Sequence, residues 1–313
     1  EFSIQLRSGS YAMIFNQKGH IRDGLHILGH PGIPVYLLDG PEPVLFDAGF
    51  ACLANRYLED MATCLNGRRP SYCFMTHAHF DHCGALAAFK KAFPEMTSAA
   101  SPLAAKILNR ASAVERIRQL NRAAARMIQE NGLSPAQSSG DFEPFDIDRT
   151  LCDGERIAIS SRDTVEVIAT PGHTWDCLSF YLPERRLLFC SEAAGQPDQT
   201  GYIVSDCLAD YDQYLASLER LARLNVDILC PGHMFVYTGK SAQTYMVQAR
   251  EACLGFRKWV ERIASEENGD LGRMILRIKA DEYDSKPAPK QPEPAYLINL
   301  EARIKAVLSA RTP

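Results

Sequence analysis

The sequence lacks a hydrophobic run that could cross a membrane and lacks an excess of positive charge. No apolar run approaches the roughly 20 residues that a transmembrane helix needs. The net charge is -4, with 34 Lys and Arg against 38 Asp and Glu, and nucleic-acid-binding proteins are typically basic. These absences predict a protein that binds neither a membrane nor a nucleic acid.

Closely spaced cysteine pairs are also absent. The ten cysteines are scattered singly, and no Cys-x-x-Cys pair occurs. Several lie inside apolar stretches, among them Cys73, Cys190 and Cys230. This pattern is typical of buried, reduced thiols rather than of a disulfide framework. Together with the lack of a signal-peptide pattern, it predicts a cytoplasmic protein.

Histidine is scarce, yet its distribution is uneven. The chain holds 8 histidines, and three of them lie in the segment HAHFDH at 77–82. The candidate ligands in this segment are His77, His79, Asp81 and His82. The segment directly follows an apolar run at 72–75 that predicts a buried strand. Because three histidines and a carboxylate are costly to bury alone, the segment predicts a metal site.

Three further candidate ligands follow predicted strands later in the chain. They are His173, Glu192 and His233. A glycine precedes each of the two histidines, which lets the backbone turn sharply and the imidazole point back over the sheet edge. One tetrahedral zinc needs about four ligands, so seven donors suit two ions. Mixed imidazole and carboxylate ligation suits Zn, Fe or Mn rather than Ca or Mg.

The ordered set of motifs resembles the metallo-β-lactamase-fold superfamily. The His-x-His-x-Asp-His cluster after a strand is similar to the signature of that family, and the later Gly-His, acidic residue and Gly-His occur in the family's order. Asp47, Ala48 and Gly49 resemble its first motif, whose aspartate is structural. The resemblance covers about residues 10–240 and implies an α+β fold, a four-layer αββα sandwich with the site at one edge of two sheets.

The resemblance also assigns the candidate ligands to two divalent ions. The first set comprises His77, His79 and His173. The second set comprises Asp81, His82 and His233. Zinc is the expected metal, with iron or manganese as alternatives.

Glu192 departs from the family pattern. The family's bridging aspartate falls at this position, and its usual Gly-Asp is replaced by Ser191 and Glu192. Glutamate is one methylene longer, so it would bridge the ions with a shifted backbone or bind one ion only. A third alternative is a solvated or salt-bridged residue that binds no metal.

A site of this kind favours hydrolysis. Two ions lower the pKa of a shared water, so that a metal-bound hydroxide attacks a carbonyl and the ions stabilise the oxyanion. Asp81 is the expected catalytic residue, which orients the hydroxide and passes a proton to the leaving group. The leading hypothesis is a metal-dependent hydrolase that cleaves a small ester, thioester or lactone.

Three other functions are open alternatives. A metal-dependent phosphodiesterase or nuclease shares the ligands, although the net charge of -4 weighs against a nucleic-acid substrate. An iron-dependent oxidoreductase is the second alternative. The third is a regulatory or interaction protein that keeps the fold and has only weak residual hydrolase activity.

The predicted domain organisation has two parts. Residues 1–240 are expected to form the catalytic domain, with a helical insertion at about 102–131 that holds two helices. Residues 241–313 are expected to form a C-terminal helical cap that covers the site mouth or makes a homodimer interface. The insertion and the cap resemble the quinolone-signal response branch of the superfamily, which has weak thioesterase-like activity. Within the first part, Asp210 is predicted to cap a helix that runs to about residue 223.

Other residues near the ligand motifs have two interpretations each. Four cysteines are interpreted as small buried residues rather than thiolate ligands. They are Cys83, Cys177, Cys190 and Cys230. Three aromatic residues would either line a substrate pocket or pack in the core. They are Trp175, Tyr202 and Tyr211.

Overall fold

Two mixed sheets, drawn largely from the two halves of the chain, lie face to face at the centre of the molecule. The computed structural model describes residues 14–130, 141–287 and 290–310. Helices cover the outer face of each sheet. The predicted α+β fold, a four-layer αββα sandwich, is therefore confirmed.

The first sheet has seven strands in sequence order. They are β2 (Gly19–Arg22), β3 (Leu25–His30), β4 (Ile33–Leu38), β5 (Val44–Phe46), β6 (Tyr72–Phe74), β7 (Thr97–Ala100) and β8 (Arg149–Thr150). Pairing is antiparallel from β2 to β5 and parallel from β5 to β8. The carboxyl ends of β5 and β6 therefore lie at the same edge of the sheet.

The second sheet also has seven strands. They are β1 (Ile14–Phe15), β9 (Arg156–Ala158), β10 (Thr164–Ala169), β11 (Leu178–Leu182), β12 (Leu187–Ser191), β15 (Ile228–Pro231) and β16 (Val236–Thr238). Their spatial order is β1-β16-β15-β12-β11-β10-β9, and β12 pairs with β15 in parallel. A separate short hairpin is formed by β13 (Gln196–Pro197) and β14 (Ile203–Val204).

Aromatic residues fill the space between the sheets. Phe46 and Phe74 of the first sheet and Phe180 and Phe189 of the second are all fully buried. The rings of Phe46 and Phe189 stack with their centroids 3.7 Å apart. Burying each such side chain is worth roughly 1.5–3 kcal/mol, so this layer holds the two sheets in register and brings their strand ends together.

Helices cover both outer faces. The first sheet carries α1 (Ala54–Leu65), α2 (Phe80–Cys83), α3 (Leu86–Ala92), α4 (Pro102–Leu108) and α5 (Ala111–Glu130). The second carries α6 (Tyr211–Leu221), α7 (Lys240–Glu266), α8 (Leu271–Lys279) and α9 (Glu293–Ser309). Short 3-10 turns occur at Ala51–Leu53, Pro183–Arg185 and Glu192–Ala194, and a π-helical turn, Ala280–Asp284, follows α8. In the part of the chain that the structure describes, none of these helices is both long and apolar enough to span a bilayer.

The helices predicted in the insertion and after Asp210 agree with these bounds to within a few residues. The insertion holds two helices, α4 and α5, as expected, and residue 131 at its predicted end lies outside the described residues. Asp210 caps α6 as predicted, because its side chain accepts a hydrogen bond from the backbone N–H of Gln213 at 2.8 Å. The division into a catalytic domain and a cap stays a prediction.

Candidate metal centre

The seven candidate ligands all follow the carboxyl ends of strands and meet at one edge of the sandwich. The segment 77–82 follows β6, His173 follows β10, Glu192 follows β12 and His233 follows β15. Their ligand atoms form three groups, each within 4.8 Å. The groups are His77 with His79 and His173, His77 with His82 and Glu192, and Asp81 with His82 and His233. The structure therefore brings together every residue of the predicted site.

Backbone carbonyls fix two of the imidazoles. Nδ1 of His173 donates to the carbonyl of Asp206 at 2.9 Å. Nδ1 of His233 donates to the carbonyl of Gly32 at 2.7 Å. Because a carbonyl only accepts, each Nδ1 carries a proton and each Nε2 faces the centre. Metal-binding histidines in proteins are typically oriented in this way.

Asp47 and Thr76 orient two more imidazoles. Oδ2 of Asp47 accepts from Nδ1 of His82 at 2.8 Å. The hydroxyl of Thr76 also donates to Asp47, at 2.9 Å, so its oxygen accepts from Nδ1 of His77 at 3.0 Å. Asp47 adopts a left-handed backbone conformation with φ +61°, which aspartate tolerates better than most residues. The structural role predicted for Asp47 agrees with these contacts.

His79 has the opposite orientation. Its Nδ1 lies 3.2 Å from Nε2 of His173, so it presents Nδ1 rather than Nε2 to the first group. His79 and Asp81 are the two partly exposed members of the seven, and the other five are buried. The centre is therefore open to solvent on the side of these two residues.

Glu192 lies between the two sets of histidines. Its Oε1 is 2.9 Å from Nε2 of His82 and 2.8 Å from Nε2 of His233. Its Oε2 is 3.8 Å from Nε2 of both His77 and His173. One carboxylate oxygen thus faces each set, which is the geometry that a bridging ligand requires.

Ser191 and Gly232 give Glu192 this position. Ser191 adopts φ +48° and ψ -138°, a conformation that is costly for a residue with a side chain. Its hydroxyl donates to Oε2 of Glu192. A Cβ at position 232 would lie 2.6 Å from Oε1 of Glu192, so only glycine leaves room for the longer acid. The glycine before His233 is therefore required for close packing against Glu192.

Burial keeps two of the histidines neutral. Burial, reinforced by His82 and His79, holds the pKa of His77 well below its ordinary value. Burial and the neighbouring His173 lower the pKa of His79 to about 4. Nε2 of His77 is fully buried and has no hydrogen-bond partner, which costs about 1–3 kcal/mol for a polar atom. A neutral imidazole with an unpartnered inward nitrogen fits a metal ligand.

Neighbouring carboxylates raise the pKa of His82 and of His233. Burial lowers the pKa of His82, but Glu192 and Asp47 outweigh burial and raise it well above its ordinary value. The hydrogen bond to Glu192 likewise raises the pKa of His233 against the effect of burial. Burial opposes ionisation of Glu192, but His82 and His77 hold its pKa well below the ordinary value. A divalent cation would take the place of the protons on these histidines, so the donor set fits divalent metal ions.

Cysteine contributes no ligand to the three groups formed by the described residues. The four cysteines near the ligand motifs are free and buried, and burial raises the pKa of each thiol. Their interpretation as small buried residues is therefore supported. Of the aromatic candidates, Tyr211 packs in the core, Tyr202 bonds to Glu282, and Trp175 is 57% exposed.

Several residues that hold the centre escaped the sequence analysis. The hydroxyl of Tyr214 donates to the backbone carbonyl of Glu192 at 3.1 Å and accepts from the N–H of Asp206 at 3.3 Å. Asp176 accepts from the backbone N–H of Ala78 at 2.8 Å. These residues act through contacts distant in sequence, and no spacing pattern marks them.

The chain belongs to the metallo-β-lactamase superfamily. The sequence model of the metallo-beta-lactamase superfamily matches residues 29–233, which is more than half of the chain. Members of this superfamily are mostly metal-dependent hydrolases that bind divalent ions. The predicted membership is therefore confirmed.

Two curated relatives match parts of the chain. A beta-lactamase-like protein 2 homolog from Caenorhabditis elegans is 35% identical over 81 residues, 26% of this chain and 25% of that protein. An atrochrysone carboxyl ACP thioesterase from Aspergillus fumigatus is 24% identical over 203 residues, 64% of this chain and 50% of that protein. The chain thus spans a quarter and a half of the length of these two relatives.

Solved structures support the fold across most of the chain. A metallo-beta-lactamase family protein from Thermus thermophilus superposes with a TM-score of 0.60 and 20% identity, covering 91% of this chain and 92% of that one. An archaeal superfamily protein from Sulfolobus tokodaii gives a TM-score of 0.57 and 17% identity, covering 93% of this chain and 100% of that one. Similarity at these identities establishes the fold alone.

Proposed function

We propose that the protein is a metal-dependent hydrolase that cleaves a small ester, thioester or lactone. The observation that carries this proposal is the position of Glu192, whose two carboxylate oxygens face two separate sets of imidazoles. A single ion would not need donors on both sides of one carboxylate. Two divalent ions bridged by Glu192 account for the arrangement.

The proposed ligand sets are two of the three groups of donors. One ion would be held by His77, His79 and His173. The other would be held by Asp81, His82 and His233. Zinc is the first choice for nitrogen-rich ligation, with iron or manganese as alternatives. Bound there, the ions would supply Lewis acidity and a water of lowered pKa.

Asp81 is the proposed catalytic residue. Its side chain is 17% exposed, and its Oδ2 lies 3.5 Å from Nε2 of His233. It therefore lies where the centre opens to solvent, on the side from which a substrate carbonyl would enter. There its carboxylate would orient the attacking water and pass a proton to the leaving group. The Ser191 hydroxyl is committed to Glu192, so water is the proposed nucleophile.

The thioester class is supported by one relative. The Aspergillus fumigatus protein is named as a thioesterase, and it matches 64% of this chain. The net charge is -4, so the chain has no excess of positive charge that would favour a nucleic-acid phosphodiester as the substrate. A small acyl thioester is therefore the first substrate to test. A homodimer and a cytoplasmic location stay predictions.

Natively expressed protein should be assayed on matched thioester, ester, lactone and phosphodiester substrates before and after metal removal. Chelation and His77→Ala are both expected to reduce thioester hydrolysis by at least about a hundredfold, because they remove the Lewis acid and one of its ligands. His20→Ala is the matched control, because His20 is exposed on β2. Full activity after metal removal would overturn the proposal.

The relative rates separate the alternatives. Faster turnover of the phosphodiester would favour the phosphodiesterase. A protein that binds metal but turns over none of the four substrates at low concentration would favour the regulatory alternative.

A further inference from the structure

The last helix carries a fully buried arginine close to the metal centre. Arg303 of α9 is 1% exposed and forms a bidentate pair with Glu282, with its two terminal nitrogens 2.7 and 2.8 Å from the carboxylate oxygens. The hydroxyls of Tyr202 and Tyr296 donate to the same carboxylate, each at 2.8 Å. Burying an ion pair seldom gains stability over an apolar replacement, so the pair calls for another role.

The third donor of Arg303 binds a backbone carbonyl rather than Glu282. Its Nε donates to the backbone carbonyl of Ser205 at 2.9 Å. Ser205 and Asp206 follow β14 and are both buried. The Arg303 side chain therefore joins the C-terminal helices to the segment between β14 and α6.

The next residue of that segment holds a candidate metal ligand. The backbone carbonyl of Asp206 accepts from Nδ1 of His173 at 2.9 Å, and the backbone N–H of Asp206 donates to the hydroxyl of Tyr214. This carbonyl sets both the tautomer of His173 and the direction in which its Nε2 points. A shift of the segment by a fraction of an ångström would turn the imidazole away from His77 and His79.

We propose that Arg303 is a positioning residue for His173. By anchoring the carbonyl of Ser205, it fixes the adjacent carbonyl of Asp206 that orients the imidazole. The inference rests on the proposed function, because Nε2 of His173 is the proposed metal-ligand atom. It makes the C-terminal helices part of the support of the metal centre rather than only a cover or an interface.

Arginine is the side chain that this position requires. Its planar guanidinium binds Glu282 with two nitrogens while the third reaches Ser205, and it lies 4.1 Å from the centre of the Phe256 ring. Lysine has a single ammonium group and cannot reproduce this fork. Arg303→Lys is therefore expected to retain the charge but lose the link to Ser205.

The test compares variants that separate positioning from stability. Arg303→Met removes the anchor and leaves Glu282 without its partner. The double variant Arg303→Met with Glu282→Gln removes both charges and keeps an oxygen that accepts from one of the two tyrosines and an amide N–H that donates to the other, so it is expected to recover much of the stability. Arg185→Met is the matched control, because Arg185 makes a similar bidentate pair with Asp163 at the opposite end of β11.

Three readouts are needed for each protein. They are the urea unfolding midpoint of the metal-free form, the Zn²⁺ dissociation constant by competition with a chromophoric chelator, and the tautomer of His173 by ¹⁵N NMR without metal. Loss of support around a ligating histidine typically weakens metal binding by about 10–100-fold. Arg303→Met, Arg303→Lys and the double variant are expected to bind Zn²⁺ about tenfold more weakly than the wild type. Arg185→Met is expected to bind Zn²⁺ with wild-type affinity, although its urea unfolding midpoint falls.

The tautomer gives a result that does not depend on metal. The wild type is expected to hold His173 as the Nδ1–H form, whereas the Arg303 variants populate both tautomers. The inference is overturned if the double variant regains both wild-type Zn²⁺ affinity and the single tautomer. If the wild type binds no Zn²⁺, the proposed function fails, and the tautomer alone then decides the role of Arg303.

Discussion

The two halves of the metal centre are built in different ways. Four candidate ligands come from the single segment 77–82, and Asp47 and Thr76, just beyond the neighbouring strands β5 and β6, orient its His82 and His77. The other three come from separate loops after β10, β12 and β15. His173 is oriented by Asp206, 33 residues away, and His233 by Gly32, 201 residues away. The ligands of the first half are thus contiguous in sequence, whereas those of the second are brought together only by the assembled fold.

The largest expected effect is a loss of stability when a ligand of the first half is replaced. In His82→Ala the carboxylates of Asp47 and Glu192 lose a buried partner at 2.8 and 2.9 Å. Removing one member of a buried pair typically costs about 3–5 kcal/mol, so the free energy of unfolding of the metal-free protein should fall by about 3 kcal/mol. Urea unfolding measures this change, with His20→Ala as the control. A loss below about 1 kcal/mol would mean that the first half is not held by these pairs.

A smaller effect is expected at Ser191 in the second half. Ser191→Ala keeps the left-handed strain and loses the hydrogen bond to Glu192, whereas Ser191→Gly loses both. The glycine variant should therefore be more stable than the alanine variant by about 1 kcal/mol. Chemical unfolding of the two variants without metal compares them directly. Equal stability would show that the φ of +48° at Ser191 stores no strain.

The smallest expected effect is a pH dependence of stability at the pair of Glu282 and Arg303, which supports the second half. Burial opposes ionisation of Glu282, but Arg303 holds the pKa of its carboxyl below the ordinary value. A carboxyl with a lowered pKa stabilises the fold above its unfolded-state pKa, and that contribution is lost as the pH falls through its folded-state pKa. The wild type should therefore lose more stability between about pH 5 and pH 3 than the variant Arg303→Met with Glu282→Gln. Equal losses of unfolding free energy in the wild type and in the double variant across this pH range, measured by urea unfolding, would contradict the prediction.

The difference between the halves also explains what the sequence could predict. HAHFDH was recognised because its ligands are contiguous, and His173, Glu192 and His233 were recognised because each follows a strand in a fixed order. The carbonyls of Gly32 and Asp206 were missed because a backbone acceptor has no sequence signature. Arg303 was missed because its partners lie in the loops at 205 and 282, which only the packing of α9 brings together.

The fold shows the same division. The apolar run at 72–75 predicts β6, whose residues include Tyr72 and Phe74. β7 was missed because its residues, Thr97–Ala100, are small and have weak strand preference. Its place between β6 and β8 comes from tertiary pairing. The fit of Glu192 could not be predicted, because its extra methylene is accommodated only by the conformation of Ser191 and the space at Gly232.

Metal analysis of natively expressed protein tests the central claim most directly. The six donors arranged on both sides of Glu192 predict two divalent ions per chain, measured as Zn, Fe and Mn together. One ion or none per chain would contradict a dinuclear centre bridged by Glu192.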